Sequence, residues 1–128
     1  MPASLLHELK TLISSLHPVV AVDSSEEERI EGLLRAVAAE LRLPLFTWTV
    51  TRGLQRIDGQ GMIHGTANPL ILLRHLATLT VEGIFHLKDL QGHLNDPATI
   101  RAFKEAAQAF SRNRSMIVLS GDAVALPP

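Results

Sequence analysis

The sequence predicts an α/β fold in three layers, with a mostly parallel, four-stranded sheet between helices on both faces. Three observations predict it. Helical and strand-like segments alternate along the 128-residue chain. The strand-like runs are continuous apolar stretches, as strands covered on both faces require. Proline, glycine or a capping residue separates each segment from the next.

The elements follow in order. Leu5, Leu6, Leu9, Leu12, Ile13 and Leu16 recur at helical spacing behind Ser4, and Pro18 stops that helix. Val19, Val20, Ala21 and Val22 form the first strand. Ser24 with Glu27 and Ser25 with Glu28 match the capping-box spacing, so a helix starts there. Ile30, Leu33, Leu34, Val37, Ala38 and Leu41 make its apolar stripe. Beyond Pro44, the run Leu45, Phe46, Thr47, Trp48, Thr49 and Val50 is aromatic and β-branched and reads as the second strand.

Residues 51–68 hold Gly53, Gly59, Gly61 and Gly65 and read as a mobile glycine-rich loop. Asn68 and Pro69 supply a cap and a first helical residue, and residues 70–79 are apolar on most sides. After Gly83, the residues Ile84, Phe85, His86 and Leu87 form the third strand, which ends at Lys88 and Asp89. Asp96 and Pro97 open the last helix, with Ile100, Phe103, Ala107 and Phe110 on its buried face. Met116, Ile117, Val118 and Leu119 are the fourth strand, and Leu126, Pro127 and Pro128 form an irregular tail. Crossovers between the parallel strands should be right-handed. The chain is long enough for one domain, residues 1–128, with a single core.

Composition bounds the function. The formal net charge is -1, so no basic field draws the chain to nucleic acid. Cysteine is absent, which removes disulfide and thiolate chemistry and suits a reducing cytoplasm. No leader pattern opens the chain and no apolar run approaches a membrane span, so a cytoplasmic protein is expected.

Ligands of parallel α/β sheets sit outside the C-terminal ends of the strands. A phosphate-binding P-loop at the first such turn needs G-x-x-x-x-G-K-[ST], because glycines let backbone N–H groups wrap phosphate and lysine adds charge. Here the turn reads Val22, Asp23, Ser24, Ser25, Glu26, Glu27 and Glu28, without glycine or lysine. Its carboxylates complement the helix dipole and repel a triphosphate. The fold is therefore P-loop-like but degenerate, and no ATP hydrolysis or bound cofactor is expected.

The third strand ends on Lys88, Asp89 and Leu90. An apolar run closed by an aspartate resembles the Mg²⁺-holding strand of nucleotide hydrolases, which makes Asp89 a metal candidate. Aspartate at a strand end also occurs without any metal. His64, His75, His86 and His93 show no spacing that converges three zinc ligands, and His86 lies within an apolar strand. Trp48, the only tryptophan, precedes Arg52 and Gly53 at the end of the second strand. That pair either closes the strand with a solvated arginine or presents a planar cation to an anion. Arg101, Lys104, Arg112 and Arg114 mix with Glu105 and read as a solvated face.

These segments together resemble a family. The carriers are Leu5-Leu6-His7-Glu8-Leu9, Pro18-Val19-Val20-Ala21-Val22, Glu26-Glu27-Glu28-Arg29 and Trp48-Thr49-Val50-Thr51-Arg52-Gly53-Leu54. Phe85-His86-Leu87-Lys88-Asp89-Leu90 and Ile117-Val118-Leu119-Ser120 before Leu126-Pro127 complete the set. Their order resembles the N-terminal region of the AAA-type ATPases of cyanobacteria and algal plastids, the hypothetical chloroplast reading frame ATPases. The resemblance implies a degenerate P-loop domain beside a competent AAA module, in proteins linked to photosynthesis and inorganic carbon use. It carries no ATP-site residue onto this chain.

By analogy with AAA folds, the resemblance implies strand order 1-4-3-2. The fifth strand expected beside strand 1 is missing, which leaves an edge bearing Val19, Val20 and Val22. The resulting expectation is a non-catalytic regulatory or protein-interaction domain. Its partner would be a protein, an AAA ATPase module or a second copy joined through the strand-1 edge. The competing reading is a nucleotide-binding or small hydrolytic enzyme that uses Asp89 and the 51–68 loop.

Overall fold

The structure, a computed structural model, describes residues 11, 18–23, 26–57, 63, 65–112 and 114–121. The expected first helix (apart from Thr11), Ser24, Ser25, His64 and the tail from 122 onwards lie outside the described residues. Strand β1 spans Val19–Asp23, helix α1 Glu27–Leu41, β2 Leu45–Thr49 and β3 Gly53–Arg56. Helix α2 spans Pro69–Thr78, β4 Ile84–Lys88, a 3₁₀ turn Leu90–His93, α3 Pro97–Phe110 and β5 Met116–Gly121.

Among the described residues the sheet has five strands in the order β1-β5-β4-β2-β3. β1, β5, β4 and β2 are parallel, in the order expected of the first, fourth, third and second strands. The expectation of a four-stranded sheet lacking a fifth strand is corrected by β3. It runs antiparallel to β2, with Thr47 opposite Gln55 and Thr49 opposite Gly53. It occupies the start of the segment read as a loop.

The cause lies in the turn. The Arg52 amide donates to the Thr49 carbonyl, closing a turn, and Gly53 follows with φ 77°. A tight turn followed by a left-handed glycine is a standard three-residue hairpin connection. A side chain on Gly53 would also meet Thr66 Oγ1 at 2.9 Å.

Pleating sends alternate residues to opposite faces. On one face Ile30, Leu34, Val37 and Ala38 of α1 pack on Val20, Leu45, Ile84, Met116 and Val118. On the other, Leu72, Leu73 and Leu76 of α2 and Ala102, Phe103, Ala106 and Phe110 of α3 cover Phe46, Trp48, Phe85, Leu87, Ile117 and Leu119. Phe85 stacks on Phe46 at 4.5 Å between ring centroids and tilts against Phe110 at 5.2 Å. Central strands β4 and β5 are sealed on both sides, which explains their continuous apolar reading.

The helix signals at Asn68 and Asp96 hold. Asn68 Oδ1 accepts from the amides of Leu70 and Ile71, and Asp96 accepts from the Thr99 amide. Helix α1 begins at Glu27 with Glu26 at the cap position, and no side chain there caps it. At its other end Arg42 takes the left-handed conformation, φ 58°, and Arg114 donates to the Leu41 carbonyl at 3.0 Å.

Thr66 joins the described residues after β3 to the sheet. Thr66 Oγ1 donates to the Ile63 carbonyl at 2.6 Å and accepts from the Leu54 amide at 2.8 Å. The Thr66 carbonyl accepts from the Trp48 indole at 2.7 Å. Trp48 is thus a core residue whose one polar atom is satisfied, as buried tryptophan requires.

Candidate functional site

Arg101, Lys104 and Glu105 lie on α3 with Arg112 and Arg114 beyond it, whereas Glu26, Glu27, Glu28, Arg52 and Asp89 stand beyond the C-terminal ends of β1, β2 and β4. The latter fall into three places: the β1–α1 turn, the ends of β4 and β5, and a groove between α1 and the β2–β3 hairpin.

At the β1–α1 turn, Glu26, Glu27 and Glu28 are exposed around the N-terminus of α1 and line an open depression with Arg29. Arg29 pairs with Glu26 at 3.0 Å. Helix N-termini attract anions through unpaired amides and the dipole, and these carboxylates already occupy that role.

At the sheet's centre His86 is fully buried, and its Nε2 lies 2.6 Å from Ser120 Oγ. Nδ1 has no partner among the described residues. Burial pushes the imidazole down to about 4, the Lys88 charge adds to this, and Glu31 opposes it. His86 is therefore a neutral core histidine at neutral pH. His93 sits edge-on to Trp48 at 6.1 Å, and His75 lies on α2.

Asp89, the metal candidate, follows β4 and takes the left-handed conformation with φ 59°. Its amide donates to the Ser120 carbonyl. Its carboxylate stands 2.5 Å from where a side chain on Gly121 would begin, and Gln91 crowds the same point. Gly121 thus lets the end of β4 fold over the end of β5. Among the described residues no group of three histidine, cysteine, aspartate or glutamate side chains converges to hold a metal.

The third place was only partly visible in the sequence. Because α1 covers β1, β5, β4 and Leu45 at the start of β2, only the rest of the β2–β3 hairpin is left open on that face. A groove of about 320 Å³ results, lined by Glu31, Thr47, Thr49, Arg52, Gln55 and Lys88, with Ile57 and Gly53 beside them. Lys88 and Glu31 meet at 3.1 Å and are only 17% and 22% exposed. Burial alone would raise the Glu31 pKa, but the hydrogen bonds and charges of Lys88 and Arg35 outweigh it and hold it below the usual value. Arg52, read with Gly53 as a candidate contact, lies at the mouth of this groove, whereas Gly53 itself is buried against Thr66. Glu31, Thr47, Gln55 and Lys88 carried no sequence signal, since only the strand register and the α1 packing bring them together.

Val19, Val20 and Val22 lie on β1, which is an edge of the sheet among the described residues. Val20 faces the α1 core, while Val19 and Val22 are partly buried and Ala21 is exposed.

Fold and site together define an α/β domain with a mixed sheet of five described strands and an acidic turn between β1 and α1. Residues 5–128 match the family described as SpoVK-like AAA ATPase, N-terminal domain, and the chain belongs to that family. It is similar to the uncharacterized AAA domain-containing protein ycf46 of Trieres chinensis, 26% identical over 124 residues, covering 94% of this chain and 24% of the relative. The ycf46 protein of Pyropia yezoensis is 22% identical over 123 residues, covering 94% and 25%. That of Gracilaria tenuistipitata var. liui is 24% identical over 127 residues, covering 97% and 26%. The chain thus spans about a quarter of the length of these relatives. No solved structure matches. Among the described residues no helix is long and apolar enough to cross a membrane.

Proposed function

We propose that this chain is a non-catalytic regulatory and interaction domain that acts beside an AAA ATPase module and neither binds nor hydrolyses ATP at its own P-loop position. The observation that carries this reading is the β1–α1 turn. Where phosphate would meet the helix N-terminus stand Glu26, Glu27 and Glu28, with no lysine and no glycine in the turn. A triphosphate brought there would meet three carboxylates at short range, and like charges within a few ångströms disfavour binding strongly.

The edge of β1 supports the second half of the reading. Its outer backbone groups face no strand among the described residues, so another chain can add a strand there. The partner is a protein, the ATPase module or a second copy.

Titration with Mg-ATP and Mg-ADP to millimolar concentration tests the first half. The expected outcome is no saturable heat and no displaced amide signals from Glu26 to Ile30. Saturable binding with signals moving at the start of α1 would overturn it.

A further inference from the structure

We propose that the groove between α1 and the β2–β3 hairpin is a binding site for a small oxyanion, the carboxylate or phosphate group of a small molecule. Its walls present donors in excess of their partners. Lys88 carries three N–H donors and Glu31 takes one of them. The Arg52 guanidinium, the Gln55 amide and the Thr47 hydroxyl make no hydrogen bond to any of the described residues. Thr49 is already committed, since its hydroxyl meets that of Thr51 at 3.2 Å and accepts from the Arg52 amide at 3.2 Å. Those bonds fix the turn that carries Arg52, one of the residues lining the groove.

The charge balance points the same way. Among the described residues Glu31 is the one carboxylate lining the groove, and it is shared. Lys88 holds Oε1 at 3.1 Å and Arg35, outside the groove, reaches Oε2 at 3.4 Å. With Arg35 drawing on the same carboxylate, the described lining residues keep a net positive charge from Lys88 and Arg52. Lys88 is largely withdrawn from water, so its field is less screened than that of a surface lysine. The volume, about 320 Å³, lies at the lower end of the range of small-molecule pockets. An ammonium, a planar guanidinium, an amide and a hydroxyl around such a space match the acceptor oxygens of a carboxylate or phosphate. The groove is distinct from the P-loop position, so this inference is independent of the proposed function.

The test uses the ¹⁵N-labelled chain at constant ionic strength, titrated separately with sodium phosphate and sodium succinate. The expected result is saturable movement of the amide signals of Thr47, Thr49, Arg52, Gln55 and Lys88 with at least one of the two. The better ligand identifies phosphate or carboxylate as the group taken. Arg52→Ala, a change at an exposed side chain, should weaken binding about tenfold, the loss expected for one charge-assisted hydrogen bond. Glu31→Gln should tighten binding, because it releases the Lys88 ammonium to the ligand. Lack of saturation with both anions to tens of millimolar overturns the proposal. So does movement centred on the start of α1, or unchanged affinity in Arg52→Ala.

Discussion

His86 shows how a single side chain ties this fold to pH. The folded chain holds it neutral down to about 4, against an ordinary value of 6.5. The unfolded chain therefore binds a proton that the folded chain refuses between those two values. Its contribution to stability is complete above about 6.5 and is lost as pH falls towards 4. The gap corresponds to about 3 kcal/mol. Urea midpoints should fall across that window, and the His86→Leu variant should lose this part of the slope whatever its absolute stability. Thr66 is the second residue on which much depends. Its hydroxyl is the acceptor for the buried Leu54 amide and a donor to Ile63. Thr66→Val keeps the shape and leaves that amide unpaired, so it should cost about 2 kcal/mol by urea denaturation.

At the scale of elements, helix ends and strand edges behave differently. Arg42 adopts φ 58° at the C-terminus of α1, a conformation that favours glycine, and its side chain is exposed. Arg42→Gly should raise stability by about 0.5–1 kcal/mol, read as a higher melting temperature. Strand β1 is the element that the proposed function exposes. Ala21 is exposed at the sheet's edge. Sedimentation at increasing concentration should reveal self-association or partner capture that Ala21→Lys diminishes, since an edge lysine opposes strand addition. A monomer at all concentrations that also captures no AAA module would remove the β1 edge from the reading. Strand β3 illustrates what an element can owe to its surroundings. Of its four residues only Leu54 packs into the core as an apolar side chain, so it has no alternation to detect. It exists because β2 offers an unpaired edge, Gly53 permits the turn and Thr66 holds its amide.

For the whole molecule, three layers leave two kinds of surface at the strand ends. Where α1 begins, three glutamates face solvent; where the hairpin stands clear of α1, a donor-rich groove opens. An α/β domain can thus carry an acidic turn at the end of β1 and offer a polar recess elsewhere on the sheet. Nucleotide titration separates the two places, because the Glu26 and Thr49 amides report on them independently.

Sequence by itself determined the alternation of elements, four of the five strands, the helix starts at Asn68 and Asp96, and the absence of a P-loop. Each of these is local: it rests on periodicity, capping chemistry or a short motif that neighbouring residues spell out. The parallel order followed from the family resemblance rather than from any local pattern. Tertiary structure decided the rest. The burial of Trp48 with its indole satisfied depended on Thr66, eighteen positions away. The groove depended on Glu31 meeting Lys88 across fifty-seven. Polar side chains at such separations converge only when strand register and helix packing set them on one face, and no local pattern records that distance.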